Sequence, residues 1–140
     1  FFKAIFEQFS RELTDLAEVV VNAGYLLCDD ELIIEHGTPS LDNGMVCPVS
    51  ICALGKCGGR ELGYASDIEL IFIYAGNGLT TGPNVITNSE YYNKLVHEFV
   101  SSIRTKREGI LTQLSISNGQ GEPILFWFTN QISIIYHLMK

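Results

Sequence analysis

The chain has 140 residues, of which 46% are hydrophobic and only 18% charged, with a formal net charge of −7. This apolar content supports a single packed domain and excludes a disordered chain. The acidic balance excludes broad nucleic-acid binding by phosphate neutralisation, because the densest basic stretch is only Arg104, Lys106 and Arg107.

Phe2, Ile5, Phe9, Leu13, Leu16, Val20, Ala23 and Leu27 recur every three or four residues, which predicts a helix from residue 1 to about residue 28. Residues 29–37 extend it or end it, and Gly37 and Pro39 are stop signals. A polar loop over 38–43 leads to an apolar, β-rich run over 46–54 that reads as a buried strand. Residues 55–66 hold four glycines and form a tight connection. The run 68–74, Ile-Glu-Leu-Ile-Phe-Ile-Tyr, is a strong strand, followed by a Gly/Thr/Pro/Asn loop over 75–86. Thr87 and Glu90 make a capping box for a helix that ends near Lys106 and carries Tyr92, Leu95, Val96, Phe99 and Ile103 on one face. Strands over 110–116 and 123–128 flank an Asn118-Gly119 hairpin signal, and a last helix is expected over 129–139. The order predicts an α+β fold, a mixed β-sheet flanked by helices.

Cys28, Cys47, Cys52 and Cys57 form no Cys-x-x-Cys pair, so neither a zinc site nor a disulfide framework is signalled. Cys52, inside an apolar run, is expected to pack as a small hydrophobe. Free thiols, no signal peptide and no apolar run of about 18 residues predict a soluble cytoplasmic protein without a membrane segment. The low charged fraction implies apolar surface covered by other domains or partners. The chain starts at Phe1 and ends in an apolar segment, so residues 1–140 read as one core domain of a larger multidomain protein.

The chemistry concentrates in Leu54-Gly55-Lys56-Cys57-Gly58-Gly59-Arg60-Glu61-Leu62-Gly63-Tyr64-Ala65-Ser66-Asp67-Ile68-Glu69-Leu70. Asp67 and Glu69 are two apart at the start of a strand, so both carboxylates are expected on one face. Two such groups repel unless a cation lies between them, and Mg²⁺ is commonly held by one or two carboxylates plus phosphate oxygens. Gly58 and Gly59 upstream let backbone N–H groups approach a phosphate. Lys56, Arg60 and Ser66 are candidates to contact a triphosphate. Such parts suit metal-assisted phosphoryl or nucleotidyl transfer. An Asp-x-Glu pair is more often a solvated edge, and a salt bridge to Lys56 or Arg60 would satisfy Glu69 without any function.

This stretch closely resembles the signature of the glutamine synthetase adenylyltransferases, which belong to the polymerase-β-like nucleotidyltransferase superfamily. The similarity continues through Ser89-Glu90-Tyr91-Tyr92-Asn93-Lys94-Leu95 and through Arg104-Thr105 to Gly109-Ile110-Leu111. The resemblance implies a nucleotidyltransferase fold, ATP and Mg²⁺, and transfer of AMP to a tyrosine hydroxyl of glutamine synthetase or its phosphorolytic removal. It also implies a PII-type signalling protein as partner. Gly58 and Gly59 then match the phosphate-binding turn, Asp67 and Glu69 the metal carboxylates, and Ser66 lies beside the nucleotide. The family carries a further Asp on a later strand, and here Ser115 stands at that position. The departure opens a second reading, a catalytically weak domain that senses nucleotide or docks a partner.

His36, His97 and His137 lack ligand spacing and read as surface or helix residues. Asp29-Asp30-Glu31 reads as a solvated helix end. Tyr91 and Tyr92 read as core. Tyr64 is a candidate to stack on adenine or, equally, to pack in the core.

Overall fold

The computed structural model describes residues 2–63, 66–103 and 124–128. Element order is α1 (Phe2–His36), β1 (Val49–Leu54), α2 (Gly55–Gly58), β2 (Ile68–Tyr74), α3 (Asn88–Ile103) and β3 (Ile124–Phe128). The predicted α+β class holds. The described strands form one sheet in the order β1-β2-β3, antiparallel throughout, with Leu54 opposite Glu69 and Glu69 opposite Trp127. The predicted strand over 110–116, the Asn118-Gly119 hairpin and the helix over 129–139 lie outside the described residues, as do Ser115 and Tyr64.

Strand β2 spans the predicted residues because its apolar run is uninterrupted except at Glu69. Alternation sends Leu70 and Phe72 into the core, at 3% and 1% exposure, and leaves Glu69, Ile71 and Ile73 on the outer face. In β1 the half-buried residues Val49, Ile51 and Ala53 alternate with exposed Ser50, Cys52 and Leu54. Cys52 therefore does not pack as a buried hydrophobe, because it falls on the outward phase of the strand. The strand also starts later than predicted, after Pro48, which has no N–H to give a ladder.

Both long helices cover the Leu70 and Phe72 face. Helix α3 buries Tyr91, Tyr92, Leu95, Val96, Phe99 and Val100, and Phe99 meets Phe72 edge-on at 5.5 Å. Its start is the predicted capping box: Glu90 N–H donates to Thr87 Oγ1 at 3.2 Å, and Thr87 N–H donates to Glu90 Oε2 at 2.9 Å. Those bonds to the ionised form hold the Glu90 carboxyl below its ordinary pKa.

Helix α1 runs to His36 and ends at Gly37, whose φ of 76° and N–H bond to Ile33 O close the C-terminus. Its packing face takes in only the middle of the predicted apolar stripe, where half-buried Leu13, Leu16 and Val20 pack beside Ala17. Ser10, Thr14, Ala17, Cys28, Leu32 and His36 are buried, whereas Phe9 and Leu27 of the expected stripe are 43% and 68% exposed. Small side chains at 10, 14 and 17 let the helix lie close to the connection behind it. The acidic cluster is likewise not simply solvated: Asp29 accepts hydrogen bonds from Tyr91 Oη at 2.7 Å and Tyr25 Oη at 3.2 Å. Burial is the main reason both phenols are pushed well above their ordinary pKa. His36 is buried rather than on the surface, with Nδ1 2.8 Å from Asn84 O.

The two polar loops are joined by the isolated bridge of Pro39 to Thr80, and a second bridge, Leu79 to Thr87, closes the later loop on itself. Asn88, with no exposed surface, donates from Nδ2 to Ser40 O at 3.0 Å and Gly76 O at 2.9 Å. No described helix is long and apolar enough to cross a membrane.

Replacing Asn88 by Ala strips two part-buried carbonyls of this donor. We expect a loss of about 2 kcal/mol in the urea unfolding free energy, with the far-ultraviolet spectrum of the folded state unchanged.

Candidate functional site

The connection after β1 is built against two surfaces. Gly55, with φ 55°, turns the chain out of the strand, and Gly55–Gly58 form a single helical turn at the start of the tight connection. A Cβ on Gly58 would overlap the carbonyl oxygen of Ala53, so only glycine fits there. Gly59 is less constrained: the nearest atom to a Cβ would be Gly55 O at 3.4 Å, and its backbone is right-handed helical. Its N–H already donates to Gly55 O at 3.0 Å, and Arg60 and Glu61 donate to Cys57 O and Lys56 O. The Gly-Gly stretch therefore owes its glycine at 58 to close approach, and the amides of residues 59–61 are already engaged within the turn.

Arg60 sits at φ 58°, a conformation costing a non-glycine residue roughly 1–2 kcal/mol. Its guanidinium pairs with Asp15 and, at 3.1 Å, with Glu18, both on α1. Behind it, Leu62 at 0% and Cys57 at 3% exposure pack on Ala17. Burial, with Glu18 adding a smaller push, raises the Cys57 thiol above its ordinary pKa, so at neutral pH it is a packing residue and not a nucleophile.

Between the N-terminal half of α1 and this connection lies an open groove of about 910 Å³. The connection contributes Lys56, Gly59, Arg60, Glu61, Gly63 and Ser66; α1 contributes Phe6, Glu7, Ser10 and Arg11. Four of the sequence candidates, Lys56, Gly59, Arg60 and Ser66, thus meet on one cavity. Ser66 is 4% exposed, and its Oγ accepts the Gly63 N–H at 2.8 Å, leaving its own O–H to donate elsewhere. Ser10 Oγ is buried with no hydrogen-bond partner among the described residues. Neither Lys56 nor Arg11 has a carboxylate partner within ion-pair distance among the described residues.

Asp67 and Glu69 stand at the entry of β2. Asp67 is exposed and immediately precedes the strand; Glu69 is its second residue and is half-buried. The Glu69 carboxylate lies over the Gly55 turn, since a Cβ on Gly55 would fall 2.7 Å from Glu69 Oε2. Neither acid is ion-paired among the described residues, so the salt bridge that would have satisfied Glu69 from Arg60 is not made. The described residues also contain no group of three His, Cys, Asp or Glu able to enclose a metal ion. The candidate donors at the entry of β2 are the carboxylates of Asp67 and Glu69. That suits Mg²⁺, which takes one or two carboxylates and fills the rest of its shell with water and phosphate oxygens.

Sequence reasoning missed Ser10 and Arg11. The polar residue at position 10 among apolar helical neighbours was the available signal, but which helical face meets the connection is a tertiary fact.

Gly58→Ala is expected to cost about 1–3 kcal/mol in unfolding free energy through overpacking. Gly59→Ala should shift it by less than about 1 kcal/mol. Equilibrium denaturation of the two variants separates these outcomes.

The sequence pattern described as glutamate-ammonia ligase adenylyltransferase matches residues 3–112. The chain is 37% identical over 91 residues to the bifunctional glutamine synthetase adenylyltransferase/adenylyl-removing enzyme of Aromatoleum aromaticum, covering 65% of this chain and 10% of that protein. The protein of the same description from Ralstonia nicotianae is 36% identical over 102 residues, 71% of this chain and 11% of its own length. That from Methylococcus capsulatus is 38% identical over 103 residues, 69% and 11%. The chain spans about a tenth of the length of these relatives.

Proposed function

The chain belongs to the glutamate-ammonia ligase adenylyltransferase family, and from that premise we propose that it forms the nucleotide-handling core of an adenylyltransferase. The reaction is transfer of AMP from ATP to a protein acceptor, a tyrosine hydroxyl of glutamine synthetase, or phosphorolytic removal of that AMP. The observation that carries this reading is Glu69: a half-buried carboxylate on a central strand, lying over the Gly55 turn, with no protein cation to pair it among the described residues. A partly desolvated acid of this kind calls for a cation that the described residues do not supply.

In this reading Asp67 and Glu69 hold Mg²⁺. The metal, when bound, neutralises charge on the triphosphate and on the departing pyrophosphate. Lys56 points charge into the groove without competition from a paired carboxylate, and it meets phosphate oxygens. Ser66 donates its O–H to the nucleotide while Gly63 N–H fixes its oxygen. Ser10 Oγ gains a partner when the groove fills. Arg60 serves differently: its two ion pairs tie the connection to α1, so it sets the width of the groove. Gly58 keeps the turn tight against β1. Positioning and electrostatics of this kind supply most of the rate in phosphoryl transfer.

A second reading has its own observation. The family's further Asp is replaced by Ser115, a neutral residue and a poor Mg²⁺ ligand. On that reading the domain binds nucleotide and transfers weakly or not at all, serving as a sensing or docking module. A PII-type signalling protein is the partner proposed for it.

Asp67 is exposed, so Asp67→Ala should abolish Mg²⁺-dependent ATP binding in titration calorimetry while the melting temperature stays unchanged. Undiminished ATP binding by that variant would remove Asp67 from the site. Incubation with labelled ATP, Mg²⁺ and glutamine synthetase then separates the two readings. Protein-bound AMP supports the enzyme, whereas binding without transfer, restored by Ser115→Asp, supports the module.

A further inference from the structure

A phosphate in the groove beside α1 has fewer donors open to it than the sequence motif promises. The amides of Gly59, Arg60 and Glu61 donate to Gly55 O, Cys57 O and Lys56 O within the turn, so the Gly-Gly stretch offers no open nest. The Arg60 guanidinium is shared between Asp15 and Glu18. Other side chains must therefore supply the charge.

Two cations on the groove have no carboxylate partner among the described residues, Lys56 on the connection and Arg11 on α1. Arg11 is the informative one. On a helix an arginine ordinarily pairs with a carboxylate three or four positions away. Glu7 and Asp15 stand four positions before and after it, and both are taken: Glu7 lies 3.9 Å from Lys3 Nζ, and Asp15 pairs with Arg60. Its neighbour Glu12 accepts a hydrogen bond from Gln8 Nε2 at 2.8 Å. The local carboxylates are thus engaged with other groups, and Arg11 keeps an uncompensated charge on the groove.

Two hydroxyls accompany these cations. Ser10, next to Arg11 on α1, is 3% exposed and lines the groove, and its Oγ has no hydrogen-bond partner among the described residues. Ser66 accepts the Gly63 N–H and keeps its own O–H to donate. A buried hydroxyl without a partner costs free energy that a bound acceptor recovers. Two acids also line the groove, Glu7 and Glu61; Lys3 meets Glu7, which leaves Glu61 against two unpaired cations. Cations held on two different elements suit an extended anion of more than one charge. We propose that Arg11 is a phosphate-binding residue, which with Lys56 and the Ser10 hydroxyl holds the β- and γ-phosphates of ATP. The groove then selects a nucleoside triphosphate over a monophosphate, and it binds free pyrophosphate without a metal. The proposal rests on the nucleotide reading of the groove, but its donors are separate from Asp67 and Glu69.

Titration calorimetry at low ionic strength tests it. ATP with Mg²⁺, AMP with Mg²⁺, and sodium pyrophosphate in the presence of EDTA are each offered to the wild-type chain, Arg11→Gln, Arg11→Lys and Lys94→Gln. Arg11 is exposed, so Arg11→Gln should keep the melting temperature of the wild type. Lys94, exposed on α3, is the control that removes the same charge away from the groove. The wild type should bind ATP and pyrophosphate about tenfold or more tighter than AMP. Arg11→Gln should weaken ATP and pyrophosphate about tenfold and leave AMP unchanged. Arg11→Lys should recover part of that loss, and Lys94→Gln should bind as the wild type does. Equal affinity of wild type and Arg11→Gln for ATP overturns the inference and leaves the nucleotide reading standing. Equal losses in Arg11→Gln and Lys94→Gln overturn it as well, because net charge then accounts for the effect. Pyrophosphate bound through Arg11 with no binding of ATP supports the role of Arg11 and removes the nucleotide reading, whereas binding of neither removes both.

Discussion

Leu62 has no exposed surface, and together with Cys57 it is pressed onto Ala17 in the middle of α1. That contact, with the Arg60 pairs to Asp15 and Glu18 beside it, fixes the connection between β1 and β2 to the long helix. Everything at the site depends on this clamp. From one side it sets the groove in which Lys56, Ser66 and Ser10 meet. From the other, the Leu54 to Glu69 pairing brings the Glu69 carboxylate over Gly55. The exposed ion pairs add little energy by themselves, and the buried apolar contact carries most of the stabilisation.

The local parts of this arrangement were legible in the sequence. Strand β2 is a continuous apolar run, and the Thr87 and Glu90 box is a four-residue signal whose bonds form within the segment itself. The Gly37 stop is equally local. Long-range facts were not legible. Periodicity located helix α1 but only part of its packing face, because the fold buries the small residues Ser10, Thr14 and Ala17, half-buries Leu13, Leu16 and Val20 beside them, and leaves Phe9 and Leu27 outside. Asp29 looked like a helix-end acid until Tyr91, 62 positions away, supplied its hydrogen bond. Cys52 looked buried because nothing in the sequence reveals which phase of β1 faces the helices. The same limit applies to the site. The glycines, Lys56, Ser66 and the two acids were visible as a motif, whereas the engagement of the Gly59 amide within its own turn and the contribution of Ser10 required the packed chain.

Family membership and local electrostatics converge on one economical account. The relatives' printed descriptions name both addition and removal of an adenylyl group. Here, two acids stand at the entry of β2 with no ion pair among the described residues, and Lys56, Arg11 and Ser66 line the groove beside α1. Those are the features that the proposed metal–nucleotide site would use.

The central claim is that Asp67 and Glu69 together hold a divalent cation alongside the nucleotide. Electron paramagnetic resonance of Mn²⁺ in place of Mg²⁺ tests it most directly. With ATP present, the protein should shift Mn²⁺ into a protein-bound spectrum, and Glu69→Gln should return the signal to that of free Mn²⁺ and ATP. An identical bound spectrum in wild type and Glu69→Gln, or none in either, would contradict the account.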